Sequence, residues 1–305
     1  MRVNGAGGAG LVVDIFAPVG KAGLGFLLVH GLASNARMWD GVARVLAQSG
    51  VACATVDLRG HGRSDKPDAG YDYDTMCADL EAVMTELRAA GGVDTVVPVG
   101  QSFGGNLVIE LAARRPAGLG GVACVDGGVI DLRARFATFE EAEAVLTPPA
   151  IAGMPAADLE TRLRAMHPDW PEAGIAGAMA NFEVLPDGTV APWLTLPRHL
   201  AILRTMWSAS PRDAYPRIEV PVLLMPVESP PAESAGSKDG VAGGKDGVAG
   251  GKAANWARDK RAAVEEAVAL LSDVEVRWFS PADHDVHAQH PREVAGALLE
   301  RFSVP

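Results

Sequence analysis

Three scarcities frame this chain of 305 residues. Cysteine occurs three times, as Cys53, Cys77 and Cys124. That odd number, with no C-x-x-C pair or Cys/His spacing, excludes a disulfide framework and a zinc site built on cysteine. Cys53 and Cys124 lie inside the apolar runs VACATV and GVACVD, where a reduced thiol behaves as a small core hydrophobe. Basic charge is also short: Lys+Arg 27 against Asp+Glu 38 leaves a net charge of −11, the wrong sign for a nucleic-acid or anionic-membrane partner. Long apolar runs are missing as well. No segment approaches the roughly 18 consecutive apolar residues of a spanning helix, and MRVNGAGGAG contains no apolar core of a secretion signal. The expectation is a reduced cytoplasmic protein, neither membrane-inserted nor bound to nucleic acid. With 48% apolar residues, global disorder is excluded.

Glycine is plentiful, at 35 residues, but unevenly so. Four lie within 5–10 and seven within 236–251, where KDGVAGG is repeated in tandem. Two copies of seven residues are too few for a solenoid. Residues 236–252 therefore read as a flexible surface loop and the first ten residues as a loose start. The remaining glycines are near ordinary frequency, and several fall in motifs.

Apolar runs at Leu11–Phe16, Gly25–Val29, Val51–Val56, Thr95–Val99, Gly121–Val125, Val222–Met225 and Val274–Phe279 alternate with helical patterns. That alternation predicts an α/β fold: a mostly parallel central sheet with helices on both faces. Met76, Leu80, Val83, Met84 and Leu87 mark one face of a helix with Asp74 as its N-cap and Gly91-Gly92 as its end. Further helices are expected over 102–115, 256–271 and 291–302, the last with Pro291 in its first turn. Residues 131–215 contain no strand-like run and hold Trp170, Trp193 and Trp207 among helical patterns, which predicts a helical cap. The chain then divides into a core of 1–130 and 216–305 interrupted by a cap of 131–215. Pro98 stands inside a strand that should be central, where it forfeits a ladder hydrogen bond.

The chemistry begins at Gly100-Gln101-Ser102-Phe103-Gly104, between the strand TVVPV and the helix NLVIELAARR. A serine on such a strand-to-helix elbow is held in a strained backbone with its hydroxyl above the sheet, and small residues two before and two after let the turn close. The helix N-terminus offers N–H groups to a developing oxyanion. G-x-S-x-G alone is a weak signal, and its placement strengthens it. His30-Gly31-Leu32 ends another strand, so the Leu32 and Phe103 amides are the expected oxyanion hole. His30 itself reads as a buried, hydrogen-bonded shaper of the loop. After VEVRWF, the segment Ser280–Pro291 carries His284, His287 and His290. His284 is nearest the strand end and is the expected base for Ser102, with His287 and His290 assigned to the start of the next helix and the surface.

HGLASNARMWD, DLRGHGRSDKP, VGQSFGGN and DHDVHAQHP, in that order, resemble the α/β-hydrolase fold superfamily in its cap-bearing esterase/lipase-like branch. The resemblance covers most of 10–130 and 217–304. It implies Ser102 as nucleophile, His284 as general base, the Leu32 and Phe103 amides as oxyanion hole, and no metal or organic cofactor. It gives DLRGHGRSD a structural role, through turns at Gly60 and Gly62 and loop contacts of Asp57 and Arg59, and leaves His61 without a catalytic one. The acid departs from the common pattern: where most relatives place Asp, after PVLLMPV, this chain has Glu228-Ser229-Pro230. Asp126, one strand earlier, is preferred, with Glu228 as the alternative. The implied activity is serine hydrolysis of an ester, thioester or lactone of a small, mostly apolar substrate, with tryptophan and methionine of the cap expected around its pocket. A C–C bond hydrolase with the same triad and a non-catalytic binding protein of the same fold remain open. A serine nucleophile speaks against the dehalogenases and epoxide hydrolases of this fold, which use Asp.

Overall fold

The computed structural model describes residues 1–17, 22–228 and 250–302, with side chains of the helix beginning at 250 described from 258 onward. The strands are β1 (Arg2–Asn4), β2 (Gly10–Phe16), β3 (Ala22–Val29), β4 (Ala52–Val56), β5 (Val93–Gln101), β6 (Val122–Val125), β7 (Phe182–Val184), β8 (Val190–Pro192), β9 (Val222–Met225) and β10 (Val274–Val276). The helices are α1 (Asp40–Gln48), α2 (Tyr73–Gly91), α3 (Phe103–Ala113), α4 (Leu132–Arg135), α5 (Phe139–Leu146), α6 (Ala156–Met166), α7 (Glu172–Met179), α8 (Leu196–Ser208), α9 (Gly250–Leu270), α10 (Val286–Gln289) and α11 (Pro291–Phe302).

Among the described residues, eight strands form one sheet in the order β1-β2-β4-β3-β5-β6-β9-β10. The pairs from β4 to β10 are parallel, while β1 and β2 are antiparallel additions at one edge. The central strand shows why its sequence is apolar throughout. Leu27 and Val29 enter the core under α2 and α3, whereas Phe26 and Leu28 enter the opposite core with α1 and α11. Both faces are covered, so no residue of FLLV meets water.

Several boundaries differ from expectation for identifiable reasons. The first residues are not loose: β1 pairs with β2, and Arg2 Nη1 donates to Asp65 Oδ1 at 2.7 Å. Asp72, not Asp74, caps α2, its carboxylate accepting from Thr75 N at 2.8 Å. The insertion of 131–215 is helical from α4 to α8 but also contains the antiparallel β7–β8 pair, too short to register as alternation. Of the duplicated segment, 236–249 lie outside the described residues and Gly250 already begins α9. Pro98 sits where the β5–β6 register slips. Ser102 N donates to Val125 O but Val96 N donates to Gly118 O, so β6's side holds one extra residue opposite Pro98. The missing N–H therefore falls at a bulge, where proline is tolerated.

A buried ion pair fastens the edge. Arg59 Nε and Nη2 donate to Asp79 at 2.6 and 2.7 Å, with both side chains no more than 3% exposed. Asp79 also accepts from Ala6 N at 2.8 Å. Asp79→Ala strands a buried guanidinium, so a loss of about 3–5 kcal/mol is expected in urea melts; a loss below about 1 kcal/mol would show that the pair is solvated.

Candidate active site

Four segments converge at the C-terminal ends of the parallel strands. β5 ends at Gln101, and Ser102 links it to α3 with φ +53° and ψ −121°. A non-glycine residue in that region is strained, and it persists because its neighbours leave no alternative. A Cβ on Gly100 would lie 2.0 Å from Gly104 O, and one on Gly104 would lie 2.5 Å from His30 O. Both glycines are thus imposed by backbone approach, which lets α3 start against the end of β3. Gly31 is also tightly placed: its Cβ would be 2.4 Å from Gln101 Oε1 and 3.0 Å from Ser102 Cβ. This brings the Leu32 loop beside the elbow. Phe103 is the first residue of α3, so its N–H has no partner within the helix.

The β6 end supplies a buried carboxylate. Asp126 lies at φ +40° and is 7% exposed. His284 Nδ1 lies 2.6 Å from Asp126 Oδ2. A carboxylate only accepts, so Nδ1 carries the proton and Nε2 is left as the acceptor. Gln101 Nε2 donates to the His284 carbonyl at 3.3 Å, which ties this loop to the residue before Ser102. Partial desolvation in the loop opposes charge on His284, whose side chain stays half-exposed, but the hydrogen bond and charge of Asp126 outweigh it and raise the imidazole above its ordinary value. Burial likewise resists ionisation of Asp126, yet His284 and Lys260 prevail and lower it. Glu228 is placed elsewhere, in an ion pair with Arg261.

The other histidines are engaged otherwise. His30 Nε2 accepts from Leu58 N at 3.0 Å, and Nδ1 donates to Gly31 O at 2.8 Å; burial pushes its pKa down to about 4. His61 Nε2 accepts from Ala33 N at 3.3 Å, and Nδ1 donates to Arg59 O at 3.0 Å. Asp57 accepts from Ala36 N at 2.8 Å and Arg63 N at 2.9 Å, pinning the loops on either side. His290 is part-exposed near Glu293, but His287 is not a surface residue: it is fully buried on α10 against Trp39, with ring centroids 4.3 Å apart. Its position one turn beyond His284 turns it under the loop.

Sequence reasoning missed four contacts. Lys260 Nζ reaches Asp126 Oδ1 at 2.7 Å and Oδ2 at 3.0 Å. Nothing in the pattern of α9 singles it out. Asp283 Oδ2 receives Trp170 Nε1 at 2.9 Å and His167 Nδ1 at 3.1 Å, and Gln289 Nε2 donates to Asp169 at 2.6 Å. These bonds latch the segment after α6 onto the loop of His284. Trp170 is spent on that latch, Trp193 lies beneath Lys66, and Trp207 packs edge-on to Phe139. A mostly apolar cavity of about 220 Å³ lies beside Ala33, lined also by Pro149, Ile151, Phe182, Leu194 and His199, and its lining includes none of Ser102, Asp126 and His284.

Among known proteins, the sequence model of the alpha/beta hydrolase family matches residues 26–297. The chain belongs to that family. Within it, the chain is similar to a non-heme chloroperoxidase of Streptomyces lividans, 36% identical over 98 residues, which are 32% of this chain and 34% of that protein. The matched stretch spans about a third of the length of the curated relatives. Two solved alpha/beta folds align over nearly their whole length. E-2-(acetamidomethylene)succinate hydrolase has TM-score 0.70 and 23% identity, covering 100% of this chain and 98% of that one. The thioesterase domain from the curacin biosynthetic pathway has TM-score 0.70 and 18% identity, covering 98% and 99%. At such identities the likeness is one of fold. No described helix of this alpha/beta hydrolase is long and apolar enough to cross a membrane.

Proposed function

We propose that the chain is a serine hydrolase that cleaves an ester, thioester or lactone of a small, mostly apolar substrate through Ser102, His284 and Asp126. The observation that carries this reading is the 2.6 Å hydrogen bond from His284 to Asp126 beside the Ser102 elbow. Ser102 Oγ attacks the carbonyl carbon and its proton passes to His284 Nε2, while Asp126 holds the ring in the required tautomer. The Leu32 and Phe103 amides receive the oxyanion, each worth about 3–4 kcal/mol of barrier. The carbonyl re-forms as the alcohol or thiol leaves with the proton from His284. Water then adds to the acyl-enzyme, gives its proton to His284, and Ser102 departs reprotonated with release of the acid. None of these steps calls on a metal or organic cofactor.

The insertion of 131–215 acts as a cap over this site, and the mostly apolar cavity beside Ala33, one residue from Leu32, would suit an acyl group without charge. Three buried free thiols suit a reducing, cytoplasmic setting. Fluorophosphonate labelling with turnover of short p-nitrophenyl esters and thioesters tests the reading; an unlabelled, inactive wild type defeats it.

The pH profile follows from the direction of the His284 shift. Protonated His284 cannot take the Ser102 proton, so activity falls as pH drops through its pKa. Because that pKa is raised, the acid limb of kcat/KM should have its midpoint above the ordinary value of about 6.5. A midpoint below about 6 would contradict the Asp126 contact.

A further inference from the structure

We infer that Lys260 is a positioning residue for the catalytic base: it clamps the Asp126 carboxylate against His284 and opposes protonation of the imidazole. This rests on the triad proposed above. The ammonium of Lys260 has three donors, and acceptors stand around all of them: Asp126 Oδ1 at 2.7 Å, Asp126 Oδ2 at 3.0 Å and Val227 O at 2.9 Å. Val227 N donates to Oδ1 at 3.1 Å. Oδ1 thus faces a backbone amide and an ammonium, while Oδ2 faces the ammonium and His284 Nδ1. Lys260 grips the carboxylate through both oxygens and spans to the backbone two residues past β9, so the plane that receives Nδ1–H is fixed from behind. The side chains of Lys260 and Asp126 are 15% and 5% exposed, so water screens the pair little.

Charge gives this clamp a second consequence. A carboxylate alone would draw a proton onto His284 strongly, delaying its use as a base until high pH. A fixed cation on the same carboxylate cancels part of that attraction. The groups facing His284 are Asp126 after β6, Asp285 on its own loop, His287 from α10 and Lys260 from α9. Arg135 of α4 faces Asp126 in turn. His287 is held neutral by burial. Lys260 therefore acts on the imidazole across Asp126 from hydrogen-bond range.

Lys260→Met keeps most of the aliphatic stem and removes the charge; Lys260→Arg keeps the charge. The full chain is titrated by NMR on the His284 Hε1 resonance, identified by its loss in His284→Asn, without substrate. In Lys260→Met the midpoint should rise by about one pH unit, and the acid limb of kcat/KM should follow, making the variant about tenfold slower on that limb. Lys260→Arg should restore the wild-type midpoint. A purely structural role would lower Tm and kcat at every pH and leave both midpoints in place, and an unmoved midpoint in Lys260→Met overturns the inference. Should that variant not fold, Lys260→Gln carries the same titration. Because the titration needs no turnover, the two readings separate. An unlabelled wild type whose midpoint still moves in Lys260→Met defeats the hydrolase reading alone, and a labelled wild type with an unmoved midpoint defeats the Lys260 inference alone.

Discussion

Replacing Ser102 by alanine is expected to lower kcat for a p-nitrophenyl ester by about 10⁵–10⁶-fold while leaving the fold intact. The size follows from the loss of the covalent route: without Oγ no acyl-enzyme forms, and only the amides of Leu32 and Phe103 and substrate binding remain, worth about 10³–10⁴ over water. Stability should barely change. Ser102 contributes its backbone to the structure, with its N–H donating to Val125 O at 3.0 Å and its carbonyl accepting from Gly105 N at 2.9 Å. Alanine keeps both. Its φ of +53° gives a sharper control. Ser102→Gly removes the strain of a side chain in that region, so it should be equally inactive yet as stable as wild type or more so, by about 1 kcal/mol. Active-site titration, steady-state rates and thermal melts on the two variants check this. A Ser102→Ala protein retaining a tenth of the activity would place the nucleophile elsewhere.

What the sequence made legible is what short-range rules control. Parallel strands buried on both faces read as unbroken apolar runs, and Val222–Met225 is a strand with those limits. Gly100 and Gly104 were readable because a backbone closing to 2.0 and 2.5 Å of their Cβ positions admits no other residue. The misses share a different origin. Asp72 caps α2 where Asp74 was expected because two aspartates stood within reach of one helix start, and only three-dimensional course selects between them. His287 is buried because α10 turns inward against Trp39, a tertiary fact absent from H-x-x-H spacing. Lys260 and the Trp170–Asp283 latch join residues more than a hundred positions apart, with no local pattern to betray them. The carboxylate partner of His284 stood between: strand-end logic narrowed it to Asp126 and Glu228 with Asp126 preferred, and Asp126 is the one bonded to the imidazole.

Those two carboxylates have opposite expected fates. Asp126→Asn should lower kcat by about 10⁴, because a neutral amide no longer enforces the Nδ1–H tautomer or stabilises the imidazolium formed when Ser102 loses its proton. It also places an NH₂ group among donors: Lys260 Nζ, Val227 N and His284 Nδ1 all point at this carboxylate. Lys260, only 15% exposed, loses its counter-charge, so about 1–3 kcal/mol of stability should go with the activity. Assays well below the lowered Tm separate the two losses. Glu228→Gln changes a carboxylate that is 33% exposed and paired with Arg261 on the rim. Such a pair contributes well under about 1 kcal/mol, and activity should stay within about twofold of wild type. The comparison is decisive because the variants make the same chemical change, carboxylate to amide, at sites that differ in whether His284 is the partner. If Glu228→Gln suffers the 10⁴ loss and Asp126→Asn does not, the acid acts from β9 and the Asp126 hydrogen bond is a loop contact.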